Sequence, residues 1–193
     1  LEGSIFIAGA GVQWLRDKIK FIKKAADTEK IVKSLNSNSG IYLVPAFTGL
    51  GAPYWNVNAR GLLSGLTRDT GPKEIVRATI ESVAYQTYDL FEAMKNDGLR
   101  PKLIKVDGGM VKNNWFSQFL SDIINTKVQR PKVDETTALG AAFMAGLQIG
   151  VYKSLKDISK NWQVDKSFNP KMKSDTRKRL LKGWKHAIRK TLS

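Results

Sequence analysis

The sequence contains no cysteine and a single histidine, His186. The absence of cysteine excludes disulfides, thiolate metal sites and cysteine nucleophiles, and a lone histidine excludes a multi-histidine metal site. A Ser/His/Asp triad would have to use His186, which lies beside an apolar stripe near the C-terminus, where a packing or surface role is the stronger interpretation. A chain without cysteine is compatible with a reducing cytoplasm, which is the location we expect.

Long apolar runs and a secretory leader are also lacking. No run approaches the roughly 20 residues that cross a bilayer, and the N-terminus lacks the residue order of a signal peptide, so we expect no membrane span. The 193 residues, 42% of them hydrophobic, suffice for one core but hardly for two, which predicts a single domain over 1–193. Because the chain opens at Leu1 without a methionine, we expect it to be a piece of a larger protein.

Acidic residues are scarce relative to basic ones, with 17 Asp and Glu against 32 Lys and Arg. A net charge of +15 is typical of proteins that bind nucleic acid. However, +10 of this charge lies in residues 151–193, which hold 13 Lys and Arg and 3 Asp. A helix predicted at about 174–192 carries an apolar stripe there, formed by Leu180, Leu181, Trp184, Ile188 and Leu192. Lysines opposite such a stripe favour a docked, solvated helix, and a nucleic-acid-binding module is the alternative.

Strands and helices alternate along the first 150 residues, which is typical of an α/β layer. The hydrophobic spacing predicts strands at 4–8, 41–45, 61–66, 103–106 and 127–130, and helices at 12–26, 72–97, 113–124 and 136–149. Strand 103–106 has a buried-type composition, and the Ala- and Gly-rich helix 136–149 is expected to lie close to a sheet. Residues 154–173 are predicted to be mostly loop.

Two glycine turns each follow a predicted strand and precede a predicted helix. The first is Gly9-Ala10-Gly11, and the second is Asp107-Gly108-Gly109 within VDGGMVKNNW. Glycine lets backbone approach a ligand closely, and a helix start offers free N–H groups to a phosphate. Asn113 stands at the start of the second helix, where its amide could contact a base or ribose, or simply cap the helix.

Neither turn carries a standard nucleotide fingerprint. Gly9 and Gly11 match the first two positions of the dinucleotide motif, but Trp14 stands at the third and no acidic residue follows at the usual spacing. The P-loop consensus GxxxxGK[ST] does not occur. If this chain binds a phosphate, it uses another architecture.

A longer pattern resembles a known family. Residues 61–81 (GLLSGLTRDTGPKEIVRATIE) resemble the C-terminal signature of the FGGY carbohydrate kinases, with Gly65, Leu66, Glu74, Ala78 and Glu81 at the signature spacing. Residues 46–55 (AFTGLGAPYW) are similar to the glycerol kinases of that family rather than its xylulose or gluconate kinases. The resemblance covers residues 1 to about 184; Asn56-Val57 departs from the Asp-Pro common there.

The resemblance implies a ribonuclease H-like, actin-like ATPase lobe: an α/β fold whose mixed sheet is flanked by helices. In such kinases ATP, with Mg²⁺, lies between two lobes, and glycerol is held mostly by the N-terminal lobe, for which this chain has no matching motif. The implied reaction transfers the ATP γ-phosphate to glycerol, giving sn-glycerol 3-phosphate and ADP. Another polyol or sugar is the alternative substrate, and the full-length protein is expected to be a homo-oligomer.

The resemblance also assigns roles to individual residues. Gly9 and Gln13 are implied to contact the nucleotide from the first turn, whereas Gly109 approaches the phosphates and Asn113 the adenosine from the second. Asp107 is implied to shape that second turn. For Gln13 a solvated position on the helix surface is the alternative.

No catalytic residue and no metal ligand is assigned in this chain. The family's aspartate general base and its glycerol-binding residues match nothing here, so the chain alone is expected to be inactive. The carboxylates of Glu74, Glu81 and Asp89 fall on the predicted helix 72–97 among apolar residues. For these three we expect solvated or capping roles.

Overall fold

The computed structural model describes residues 5–133 and 135–193. The helices are α1 (Gly9–Asp17), α2 (Asp27–Lys33), α3 (Pro72–Asn96), α4 (Asn114–Ile124), α5 (Thr136–Gln148), α6 (Leu155–Ser159) and α7 (Ser174–Leu192). The strands are β1 (Tyr42–Val44), β2 (Leu62–Ser64), β3 (Leu103–Lys105), β4 (Lys127–Pro131) and β5 (Val164–Phe168). Within the described ranges, no helix has the length and apolar character required to cross a bilayer.

The strands form two small sheets. β1 and β2 pair antiparallel, with Tyr42 opposite Ser64. In the second sheet β4 is central: it runs parallel to β3 and antiparallel to β5, so that Val128 lies between Ile104 and Phe168. The loop prediction for 154–173 is wrong at β5, because VDKSF is exposed except at Phe168 and has the charged composition that edge strands tolerate.

Helix α3 is the central helix of the fold, and its predicted extent is confirmed. Pro72 opens the first turn, where the N–H of Gly71 donates to Glu74 Oε2 at 2.9 Å and closes the N-terminus. The helix packs against α1, α2, α4 and β1, and Val76 and Ile80 are buried in those contacts. α3 thereby connects the two glycine turns to the rest of the core.

The apolar stripe of α7 docks on the core, as its spacing predicts. Trp184 is fully buried and stacks on Tyr85 with ring centroids 5.4 Å apart, while Phe119 meets Tyr85 edge-on at 5.7 Å. Gly183 faces the Tyr42 ring so closely that a Cβ atom there would overlap it. Other stripe residues are buried, namely Leu180, Leu181 and Ile188, whereas Leu192 is exposed. The last helix is therefore an integral part of the core.

Two carboxylates of α3 are buried, which contradicts the expectation of solvated or capping roles. Glu81 is wholly inaccessible and accepts hydrogen bonds from Arg77 Nε at 2.7 Å and from the Tyr85 hydroxyl at 2.8 Å. Burial raises the pKa of Glu81, against the charge and hydrogen bond of Arg77 and the hydrogen bond of Tyr85. Of the three carboxylates, only Glu74 has the expected capping role.

Asp89 links three parts of the molecule. Its Oδ2 atom accepts a hydrogen bond from the Tyr54 hydroxyl at 2.8 Å and one from Trp184 Nε1 at 2.6 Å. Burial raises the pKa of Asp89, while these two donors act in the opposite direction. The carboxylate thus joins α3, α7 and the loop that contains the cis peptide bond between Ala52 and Pro53.

The predictions for the N-terminal segment are partly wrong. Ser4 lies outside the described residues, and residues 5–8 form no strand, because Gln86 Nε2 of α3 donates to the Ile7 carbonyl at 3.1 Å. The predicted helix 12–26 begins earlier and ends at Asp17, so that Gly9-Ala10-Gly11 is the first turn of α1 rather than a turn between a strand and a helix. The apolar spacing continues beyond it because Ile22 is buried in the core without being helical.

Two predictions of burial in the second half are also wrong. β3 lies at the edge of its sheet, and Leu103 is exposed rather than buried. α5 does not lie close against a sheet: Gly146 is its one buried residue among those described, and it packs against Tyr152. Small side chains allow close helix packing but do not by themselves provide a surface to pack against.

Candidate functional site

The two glycine turns face one cavity of about 550 Å³. It is lined by Gly9, Val12, Gln13, Arg16, Ala25, Ala26, Thr28, Glu29, Ile80, Gly109, Met110, Lys112 and Asn113. Gly9, Gln13, Gly109 and Asn113, which the sequence singles out, therefore lie around the same space although a hundred residues separate the two turns. Their role towards a ligand stays a prediction.

The first wall of the cavity is the N-terminal turn of α1. Among the described residues no side chain caps this terminus; the Gly11 N–H donates to the Ala8 carbonyl at 3.0 Å, which leaves the N–H groups of Gly9 and Ala10 to a ligand. Gly11 is needed for a different reason: a Cβ atom there would lie 3.1 Å from Thr79 Cγ2, so glycine lets α1 lie close against α3. A Cβ atom on Gly9 would meet nothing within 4 Å, because Gly9 borders open space.

The second wall is the turn after β3. Gly108 has a φ of 88°, in the left-handed region, and leads into a single 3-10 turn over Gly109–Lys112. Arg130 of β4 holds this turn by donating from Nη1 to the Val111 carbonyl at 2.7 Å. Asp107 is exposed, and its side chain makes no hydrogen bond within the described residues; its implied role in shaping the turn stays a prediction.

Asn113 has a fixed orientation at the edge of the cavity. Its Oδ1 accepts from the Phe116 N–H at 2.9 Å and caps α4, while its Nδ2 donates to the hydroxyl of Thr28 at 3.3 Å. The Thr28 hydroxyl in turn donates to the Ala25 carbonyl at 2.7 Å. The capping role of Asn113 is thus real, and one N–H of its amide is left to donate to a ligand.

Thr28 has no counterpart among the residues that the sequence singles out. It belongs to α2 and meets Asn113 across 85 residues of chain. A threonine in the first turn of a short helix is common, so nothing in the local pattern distinguishes it from a capping residue. Only the packing of α2 against α4 brings it to the cavity.

Charged groups of both signs border the cavity. Arg16 and Lys112 contribute positive charge and Glu29 negative charge. Partial burial pushes the pKa of Glu29 upward, but Lys33, whose Nζ lies 2.6 Å from Glu29 Oε1, and Asn114 outweigh it and hold this pKa below its usual value. Glu29 is therefore ionised at neutral pH, and Arg16, the cation beside the first turn, is paired with Asp17 at 2.6 Å.

The arrangement suits a ligand with an anionic end and an apolar or aromatic end. Its volume falls within the range of small-molecule sites, and the uncapped start of α1 attracts an anion. Val12, Ile80 and Met110 give the remainder of the wall an apolar surface. In the part of the chain that the structure describes, no group of three or more His, Asp or Glu side chains could hold a metal ion.

Comparison with known proteins places the chain among sugar kinases. The sequence model of the FGGY family of carbohydrate kinases, C-terminal domain, matches residues 1–149. Glycerol kinase 1 of Pseudomonas aeruginosa is 55% identical over 193 residues, and the glycerol kinase of Alkaliphilus oremlandii is 53% identical over 193 residues. Each alignment covers 100% of this chain, which spans 39% and 38% of the length of these two relatives.

Solved structures agree with this placement. The crystal structure of Plasmodium falciparum glycerol kinase with ADP superimposes with a TM-score of 0.89 and 39% identity, covering 99% of this chain and 38% of that one. A ligand-bound xylulose kinase from Lactobacillus acidophilus gives a TM-score of 0.80 and 25% identity over 97% of this chain and 38% of that one. The fold is therefore that of an actin-like, ribonuclease H-like kinase lobe, as the resemblance implied.

Proposed function

This chain belongs to the FGGY family of carbohydrate kinases, and from that premise we propose that its cavity binds the adenine nucleotide of a glycerol kinase. The observation that carries the proposal is the meeting of Gly9 and Gly109 at one cavity. The Plasmodium falciparum relative of the same fold was solved with ADP, which supports a nucleotide as the ligand.

Each predicted residue has a physical role in this proposal. Gly109 presents backbone without a Cβ atom, so phosphate oxygens can approach its turn closely. Gly9 and Gln13 contact the nucleotide from α1. The uncapped N–H groups and the dipole of this helix favour the negative charge of phosphates. The remaining N–H of Asn113 donates to an acceptor on the adenosine, and Ile80 offers an apolar contact.

The full reaction requires more than this chain. We assign to the complete enzyme the transfer of the ATP γ-phosphoryl group to glycerol, which gives sn-glycerol 3-phosphate and ADP. Mg²⁺ would reach the site on the nucleotide phosphates, since the described residues provide no acidic cluster for it. Glycerol and the base that deprotonates it belong to the larger part of the relatives that has no counterpart here, so the chain alone is inactive.

Glycerol is the substrate best supported within the family. The relatives with 51–55% identity over nearly the whole chain are glycerol kinases, whereas the xylulose kinase of the same fold is 25% identical. Another polyol or sugar is the alternative. We also propose that the complete protein is cytoplasmic, where ATP is available, and that it forms a homo-oligomer.

Glycerol-dependent ADP release by the complete enzyme that contains this chain tests the proposal. We expect rapid release with glycerol and Mg²⁺, slow release with xylulose or gluconate, and none from the 193-residue chain alone. ADP release with another polyol but not with glycerol would contradict the substrate assignment. Failure of the complete enzyme to use ATP with any of these acceptors would contradict the kinase assignment itself.

A further inference from the structure

A second cavity, of about 330 Å³, shares no lining residue with the first. It lies where the loop between α2 and β1 meets α3, α4 and α7, and we name it the polar cleft. Three cationic side chains line it, one each from α3, the segment before α7, and α7 itself: Arg77, Lys171 and Arg179. Nothing in the proposed kinase reaction uses these groups.

Arg77 is held rigidly in the wall of the cleft. Its side chain is 10% exposed, its Nε lies 2.7 Å from Glu81 Oε1, and its Nη1 donates to the Leu35 carbonyl at 2.6 Å. The guanidinium also covers the Trp115 ring at 5.1 Å. Nη2 has no hydrogen-bond acceptor among the described residues and reaches solvent, so a preoriented donor is available at the surface of the cleft.

Lys171 and Arg179 add solvent-exposed positive charge to the cleft. Both are exposed, and neither forms an ion pair with a carboxylate in the described part of the chain. Asp122 is the one acidic residue in the lining, and its Oδ1 already accepts from the Lys171 N–H at 2.7 Å and the Met172 N–H at 3.2 Å. With Glu81 taken by Arg77, the cleft keeps an excess of positive charge.

We propose that the polar cleft binds a small phosphate monoester with a hydroxyl-bearing carbon skeleton. Guanidinium groups match phosphate oxygens in geometry, and Arg77 and Arg179 provide two of them. Ser37 and Thr176 supply hydroxyl groups beside them, which suit the hydroxyls of a short polyol or sugar.

A nucleotide fits the cleft less well than a short ester. The Trp115 indole already stacks on Phe119 at 4.9 Å and is covered by Arg77, so a base would have to displace one of these partners. The volume is also at the lower end of the range for small-molecule sites. Size and the occupied aromatic ring both favour a ligand without a base.

Calorimetric titration of the 193-residue chain with glycerol 3-phosphate, at fixed ionic strength, tests the proposal. Arg179→Gln removes one cation from the cleft, and Arg189→Gln removes the same type of exposed residue from α7 outside it. We expect binding by the unmodified chain and by Arg189→Gln, and affinity about tenfold or more weaker in Arg179→Gln, as the loss of a charge-assisted hydrogen bond predicts. Glycerol should not bind, and inorganic phosphate should bind more weakly than the ester.

Three results would overturn the proposal: no binding by the unmodified chain, equal weakening in both arginine variants, or inorganic phosphate binding as tightly as the ester. The variant Gly109→Val distinguishes binding in the first cavity from binding in the polar cleft, because it narrows the first cavity and leaves the polar cleft intact. Binding of the ester should survive in it, and its loss would place the ester in the first cavity. ADP titrated into the same samples reports on the proposed nucleotide site separately.

Discussion

The amide of Asn113 donates to the hydroxyl of Thr28 at 3.3 Å, although 85 residues separate them. This bond joins α2 to the start of α4 at the edge of the larger cavity and leaves the second amide N–H of Asn113 as a donor there. Thr28, which itself lines the cavity, thereby fixes the orientation of the Asn113 amide. Thr28 acts in the proposed site as a positioning residue.

Replacing Thr28 with valine keeps the shape of the side chain and removes both of its hydrogen bonds. The Asn113 amide then loses one anchor, so we expect ADP to bind about fivefold more weakly, as a net loss of ~1 kcal/mol predicts. Calorimetric titration with ADP measures the effect. Thr87→Val is the matched control, because its hydroxyl donates to the Val83 carbonyl at 2.7 Å inside α3, away from the cavity.

Both threonine variants should lose some stability, but only Thr28→Val should lose affinity for ADP. If both variants bind ADP as tightly as the unmodified chain, the ADP affinity does not depend on the bond between Thr28 and Asn113. A matched loss of affinity in both would show that the effect arises from general destabilisation.

Asp89→Asn is expected to change how stability depends on pH. Because burial raises the pKa of Asp89 in the folded protein, its contribution is full below its unfolded pKa and is lost as the pH rises through its folded pKa. Asparagine has no such titration, and its carbonyl oxygen can accept from both Tyr54 and Trp184. The free energy of unfolding of Asp89→Asn, relative to that of the unmodified chain, should therefore rise between the unfolded and the folded pKa of Asp89. Above the folded pKa the difference should level off.

Urea unfolding at a series of pH values, from below the ordinary carboxyl pKa to neutrality, measures the difference for Asp89→Asn. Parallel profiles for the two proteins would contradict the prediction. Asp89→Leu is the companion variant: it leaves the buried Trp184 N–H without an acceptor and should be destabilised by about 1–3 kcal/mol at neutral pH.

Gly183→Ala should destabilise the fold through the contact between α7 and β1. The added methyl group overlaps the Tyr42 ring, so the helix must shift, at a cost of about 1–3 kcal/mol. Gly140→Ala is the control, because a Cβ atom there meets nothing within 4 Å, and alanine in a helix is favoured by up to ~1 kcal/mol. Thermal unfolding of the two variants should therefore shift in opposite directions, and a shared direction would argue against this close approach.

Local sequence patterns predicted the elements whose own apolar spacing and terminal residues decide their extent. Helix α3 has an apolar period that continues to Asn96 and a proline at its start, so both ends were predictable. β1 and β2 were likewise predictable from short, mostly apolar runs bounded by glycine or proline. The apolar stripe of α7 correctly predicted which side of this helix is buried, because its apolar residues all lie on one helical face.

Errors arose where a tertiary contact overrides the local pattern. The Ile7 carbonyl bonds to Gln86 of α3 rather than to a strand, and β5 forms because β4 offers it an edge despite its charged composition. For the site, the glycine turns were visible in the sequence, but the hydrogen bond between Thr28 and Asn113 was not. Contacts between residues far apart in the chain leave no periodic signal.

ADP titration of glycine variants tests whether the two glycine turns contact the same nucleotide. A Cβ atom at Gly9, Gly109 or Gly140 meets nothing within 4 Å, so valine fits sterically at all three, but only the first two border the cavity. We expect ADP affinity to be weaker by about tenfold or more, ~1.4 kcal/mol, in both Gly9→Val and Gly109→Val, and unchanged in Gly140→Val. Unchanged affinity in either turn variant would show that its turn does not contact the nucleotide.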